Sequence, residues 1–183
     1  IVKNTVGWDA SISALAEGKV ASSPSGAWLS GSITHQAPDL KGKWGVFLLP
    51  SFEEGGNRAS NLGGSNYVIS ANSQKADEAY KFMEYFSTTD KVQEEAMKGG
   101  LFPSLNTVYS SKLFTAQDEY FNNQTIWKTF ADEMKDIKPV NFTGNYSVAN
   151  SEAVKAVSEV TNGKGVTDSL EAAQKRLENR IQK

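Results

Sequence analysis

No cysteine occurs among the 183 residues, and histidine occurs once, at His35. The first absence excludes disulfides and thiolate nucleophiles, although it leaves the compartment open, because exported and cytosolic chains alike can dispense with cysteine. The second confines any Ser-His-acid arrangement to His35. That residue lies in Ile33-Thr34-His35-Gln36-Ala37, a polar stretch without a nucleophile motif, and reads as a loop or surface histidine. A zinc site wants several Cys or His ligands, which the chain cannot supply. No alternation of Asp or Asn around a central Gly with a terminal Glu marks a calcium loop. No apolar run approaches the ~18 to 20 residues that span a bilayer. The formal net charge is -2 with both signs scattered, so no basic face exists to neutralise phosphates, and nucleic acid is excluded as a partner. The pair Gly63-Gly64 lacks the Lys-Ser/Thr that completes a phosphate-binding loop, and adjacent Glu53 and Glu54 solvate a loop rather than face each other across a cleft. Catalytic, metal and cofactor sites are therefore all expected to be absent. The chain opens Ile1-Val2-Lys3 with neither methionine nor a signal-peptide pattern, and a preceding segment is expected to have been removed.

What is present suits a packed domain: 39% hydrophobic residues, 22% charged and four tryptophans, on a length that accommodates one ordinary domain. Asp9 can cap a helix carrying Ile12, Leu15 and Ala16, with Gly18 placed for a left-handed stop. The run Trp44 to Leu49, stopped by Pro50, reads as a strand buried on both faces, and Tyr67 to Ile69 after Gly63-Gly64 reads as a second. Residues 30–43 read as a loop or a poorly regular helical turn. A helix over 75–86 has the stripe Ala76, Ala79, Tyr80, Met83 and Phe86, and one opened by Asp90 buries Val92, Ala96 and Met97 before Gly99-Gly100. Ile126, Trp127, Phe130, Ala131 and Met134 repeat at helical spacing up to Pro139. Two helices close the chain. The first carries Ala153, Val154, Val157 and Val160 and ends near Gly163, and the second turns Leu170, Ala173, Leu177 and Ile181 inward, with Lys175, Arg176 and Arg180 toward its end. The fold class predicted is α/β, with helices packed around a short sheet.

The stretch Gly18-Lys-Val-Ala-Ser-Ser-Pro-Ser-Gly-Ala-Trp28 places an indole at the predicted end of a strand, with Gly26 and Ala27 leaving one face open. Such a face suits the apolar C–H plate of a sugar ring; a core tryptophan is the alternative. Trp8 and Trp44 read as structural, and Trp127 as core.

The helix before Gly18-Lys19-x-Ala21, the Gly26-x-Trp28 that follows and the strand Val46 to Pro50 occur in the order of a known family. So do Gly63-Gly64 before Tyr67 to Ile69, then Ala79, Phe82, Ser87 and Gln93, and the Gly100-x-x-Pro103 turn. This order resembles the C-terminal half of the sugar-binding proteins, family 1 type, of bacterial ABC importers. Ser22 departs from it, since the family usually has a bulky residue there.

The resemblance implies the C-terminal lobe of a type 2 periplasmic-binding-protein-like fold. Residues 1–62 and 103–183 would form that lobe. Residues 63–102 would hold the hinge crossing and helices belonging to an N-terminal lobe that is missing. It implies Trp28, Ser65, Asn66, Asn145 and Tyr146 as ligand-facing residues, and Gly63, Gly64, Gly100 and Pro103 as the hinge. The implied partners are a mono- or oligosaccharide, an ABC permease and the N-terminal lobe. The implied place is outside the cell, as a surface lipoprotein or in the periplasm. In a bacterial chain the triplets at Asn123, Asn141 and Asn145 that match the glycosylation pattern are coincidental. Two other readings remain, a polysaccharide-acting enzyme domain and a module associating through Tyr80, Met83 and Phe86.

Overall fold

The structure, a computed structural model, describes residues 7–140 and 142–181; the opening Ile1-Val2-Lys3 and the triplet beginning at Asn141 lie outside or partly outside them. Contacts divide the chain into two units, Ile1–Ile137 and Lys138–Lys183.

Helix α1, Trp8–Ala16, forms where Ile12 and Leu15 share one face and enter the first core. Gly18 ends it as expected, at φ 67°, with its N–H donated to the Leu15 carbonyl and that of Lys19 to Ala14. Helix α2, Trp28–Gln36, overturns one expectation, because Trp28 opens a helix rather than closing a strand, and it decides another, since the stretch read as a loop or a poorly regular helical turn begins as regular helix. Its sequence hides this behind Ser30, Gly31, Ser32 and Thr34, all mediocre helix formers. Their hydroxyls turn back onto the helix, Ser30 Oγ to the Ala27 carbonyl at 2.7 Å and Thr34 Oγ1 to that of Ser30 at 2.8 Å. Burial of Ile33 and Ala37 then decides the conformation.

The first core joins Ile12, Leu15, Ile33, Ala37, Tyr120, Phe121 and Ile126. Tyr120 closes α2, its buried hydroxyl lying 2.7 Å from the Ala37 carbonyl and 3.1 Å from that of Ile33. The second core joins Met97, Val108 and Phe114, and half-buried Trp127 of α5 (Ile126–Glu133) packs against both. Met97 comes from α4, Asp90–Lys98, where Gln93 Nε2 also donates to the Phe86 carbonyl at 2.7 Å. Just beyond α4 the chain meets α2 backbone to backbone. A Cβ on Gly31 would lie 2.2 Å from the Gly99 carbonyl oxygen, and one on Gly100 would lie 3.0 Å from that of Trp28. Gly100 itself holds φ 92°, which L side chains rarely adopt.

No strand occurs among the described residues; an isolated antiparallel bridge links Asp118 and Gln124. The predicted strands have no regular secondary structure, and Phe47 is 70% exposed. An apolar run alone does not make a strand, which needs a neighbour for its backbone groups. Side chains supply those neighbours here. Gln124 accepts from the Val46 N–H at 2.7 Å and donates to its carbonyl at 3.2 Å, while Arg58 donates to the carbonyls of Leu48 and Leu49 at 2.9 and 2.7 Å. On α3, Ala76–Thr88, Tyr80 is exposed and Met83 and Phe86 are half-buried.

The second unit pairs α6, Tyr146–Thr161, with α7, Val166–Ile181. Its contact face differs from the expected one. On α7, Ala173 is buried as expected, but Leu170 and Ile181 are exposed and Ser169 is buried instead, while on α6 Val154 and Val157 are exposed and Ala156 is buried. These small side chains let the helices approach, and a charge cluster joins them. Glu152, only 7% exposed, accepts from Arg176 Nε at 2.6 Å and from Arg180 Nη1 at 3.0 Å. The arginines expected to serve the helix dipole thus serve a carboxylate on the neighbouring helix.

Two outcomes follow from these contacts. Tyr120→Phe removes the hydroxyl that donates to the Ala37 and Ile33 carbonyls at the end of α2 and is expected to cost about 1–2 kcal/mol of stability by urea denaturation; an unchanged midpoint would show that the contact contributes nothing. The arginines, Arg176 first and then Arg180, hold the Glu152 carboxyl below its ordinary value. Its stabilisation is therefore complete above that ordinary value and is lost as pH falls through the lowered one. Acid titration followed by helical circular dichroism should show this loss, and Glu152→Gln should flatten it; an identical acid limb in the variant would refute the assignment.

Candidate functional site

Trp28 stands at the first position of α2 with its indole 36% exposed. Three contacts hold the helix beneath it: Ile33 in the first core, the Gly31 to Gly99-Gly100 approach, and the Tyr120 hydroxyl at the far end. Gly26 lies against the six-membered ring, where a Cβ would stand 3.3 Å from the nearest ring carbon, so the expectation of small neighbours beside the indole is met on this side.

A second indole adjoins it. Trp8, read as structural, opens α1, is 46% exposed and meets Trp28 edge to face, with ring centroids 5.7 Å apart and planes at 62°. The sequence carries no sign of this pair, which exists because α1 and α2 pack side by side through Ile12, Leu15 and Ile33.

Of the other expected ligand residues, two belong to the first unit and two to the second. Ser65 and Asn66 are exposed on the extended segment after Gly63, and neither is hydrogen-bonded to Trp28; the next residue, Tyr67, sets its ring against Phe86 at 5.4 Å. Asn145 and Tyr146 belong to the second unit, Asn145 at the N-cap of α6 and Tyr146 at its first position, with the Tyr146 ring against Phe142 at 4.8 Å. Among the expected hinge residues, Gly63 and Gly100 have φ 84° and 92°, Gly64 has open space around it, and buried Pro103 accepts from the Tyr109 hydroxyl at 3.1 Å.

A hollow of about 190 Å³ opens between Leu48, Asn57, Arg58 and the stretch from Asp132 and Glu133 at the end of α5 to Asp136 in the turn that follows. Burial pushes the Glu133 carboxyl up, against a hydrogen bond from the Ser60 backbone. These three carboxylates share one helical stretch, and Arg58 is engaged on the Leu48 and Leu49 carbonyls. They do not form the two opposed walls that glycoside hydrolysis requires. His35 is exposed in the last turn of α2, and no group of three His, Cys, Asp or Glu able to hold a metal occurs among the described residues.

Known proteins resemble this chain along most of its length. It is 33% identical over 190 residues to the lactose-binding protein of Rhizobium radiobacter, covering 100% of the chain and 44% of that relative. It is 28% identical over 153 residues to the arabinooligosaccharide-binding protein of Bacillus subtilis, covering 81% of the chain and 34% of that relative. The chain thus spans less than half the length of these curated relatives. Among solved structures, the ABC transporter associated binding protein from B. animalis subsp. lactis Bl-04, in complex with beta-1,6-galactobiose, superposes with a TM-score of 0.80 at 27% identity, covering 94% of this chain and 45% of that one. These relatives are named for binding rather than for a reaction. The pattern of one family, described as bacterial extracellular solute-binding protein, matches residues 1–122, and the chain belongs to that family.

Proposed function

We propose that this chain is a saccharide-binding lobe of a substrate-binding protein that delivers sugar to an ABC importer outside the membrane. The observation that carries the reading is Trp28, a half-exposed indole on a helix anchored at both ends, in a chain whose relatives are named for lactose and arabinooligosaccharides. The C–H plate of a pyranose stacks on the indole face without giving up a hydrogen bond, while its hydroxyls must each be matched by a polar group. Ser65, Asn66, Asn145 and Tyr146 are the proposed sources of those groups.

The proposed lobe takes residues 1–62 and 103–183, with the crossing in 63–102. Met97 ties α4 to the second core, so α3 is the part of that segment left to face another lobe. Closure about Gly63, Gly64, Gly100 and Pro103 would enclose the sugar, the closed form being favoured by its greater affinity for the ligand. The permease would read that closed form. A surface lipoprotein and a periplasmic protein both fit this role.

Tryptophan fluorescence titrated with lactose, arabinooligosaccharides and β-1,6-galactobiose tests the reading. At least one sugar should give a saturable change, weakened by about tenfold or more in Trp28→Ala, as expected for loss of about 1.4 kcal/mol of stacking. A titration unaffected by the substitution would remove Trp28 from the site.

A further inference from the structure

We propose that Asn162 is a site of spontaneous modification, converting to aspartate or isoaspartate through a cyclic imide with Gly163, and that the cap closing α6 governs the rate. Asn162-Gly163 is the one place in the sequence where glycine follows asparagine. Both residues are exposed in the turn between α6 and α7.

The turn requires the residue that makes its neighbour reactive. Asn162 is the C-cap of α6, and Gly163 follows at φ 95°, a left-handed conformation that glycine adopts without steric cost. The Gly163 N–H is donated to the Val160 carbonyl at 2.9 Å and that of Lys164 to Glu159 at 3.1 Å, the paired bonds of a helix stop. Gly163 has no side chain, and no atom lies within 4 Å of where a Cβ would stand, so its nitrogen can approach the Asn162 side-chain carbonyl once the turn opens. In the step itself that nitrogen attacks Cγ of Asn162, the Cγ–Nδ2 bond breaks, and the Gly163 amide proton leaves with ammonia. Water then reopens the ring, giving aspartate when it adds at Cγ and isoaspartate when it adds at the main-chain carbonyl.

In the folded chain, hydrogen bonds hold the reacting groups out of this step. Asn162 Nδ2 donates to the Ser158 carbonyl at 2.8 Å, which turns the amide back along the helix, and the Gly163 N–H is occupied on Val160. The Asn162 N–H and the Thr161 hydroxyl converge on the same Ser158 carbonyl, at 3.1 and 2.9 Å. Ring closure therefore waits on opening of the last turn, which at an exposed helix end takes far less free energy than unfolding the helix pair. The products do not fit the cap. A new carboxylate meets the negative end of the helix dipole and adds like charge three residues after Glu159. Isoaspartate also inserts an extra carbon into the main chain and so shifts Lys164 off the Glu159 carbonyl.

The test keeps the chain at mildly alkaline pH, folded and in urea, and follows each asparagine by peptide mapping with mass spectrometry. Asn162 should convert ahead of every other asparagine in urea. The folded chain should convert it at least about tenfold more slowly, as expected for an opening cost of about 1.4 kcal/mol or more. Thr161→Gly, which weakens the last turn of α6, should speed conversion in the folded chain severalfold and leave the rate in urea unchanged. Equal rates folded and in urea, or a folded rate unmoved by Thr161→Gly, would overturn the role of the cap. An Asn162 that stays intact in both the folded chain and Thr161→Gly, while other asparagines convert, would overturn the site itself.

Discussion

The meeting of two backbones at Gly31 and Gly99-Gly100 governs how the first unit is assembled. No side chain fits between α2 and the turn after α4, since any Cβ on Gly31 would overlap the Gly99 carbonyl oxygen. Close packing of this kind leaves little freedom to slide. It registers the helix that carries Trp28 against the helix that carries Met97, and so against the second core. Tyr120 then secures the other end of α2, and Trp127 spans the two cores. The indole at the head of α2 is consequently held by tertiary contacts rather than by the helix propensity of its own sequence, which is poor.

Elsewhere polar side chains stand in for regular structure. Gln124 pairs with both backbone groups of Val46 as a neighbouring strand would, and Arg58 covers the next carbonyls along the same segment. In the second unit, Glu152 with Arg176 and Arg180 brings α6 and α7 together. Both arrangements satisfy groups that would be costly to leave unpaired. Both also leave apolar side chains such as Phe47, Val154 and Val157 in contact with water.

Helices α1, α4 and α5 are legible in the sequence because their apolar residues recur at helical spacing and glycine or proline stands near their ends. Helix α2 is not, because its serines, threonine and glycine mimic a loop until Ile33 and Ala37 are seen to be buried. The apolar run from Trp44 to Leu49 suggests a buried strand, yet burial of a strand depends on neighbours that its own residues do not specify. On α6 the valines outweigh Glu152 in any hydrophobic pattern, and only the approach of α7 with its arginines shows which face is inside. Trp28 is legible through its glycine-bracketed setting, whereas Trp8 acquires meaning only from the packing of α1 on α2.

The most direct measurement of the central claim is a crystal structure of the chain with β-1,6-galactobiose bound. The account requires a sugar ring stacked on the Trp28 indole, with α2 still seated on Gly99-Gly100 and Tyr120 still closing its far end. Sugar found instead in the hollow beside Arg58 and Glu133, with the Trp28 face bare, would contradict it.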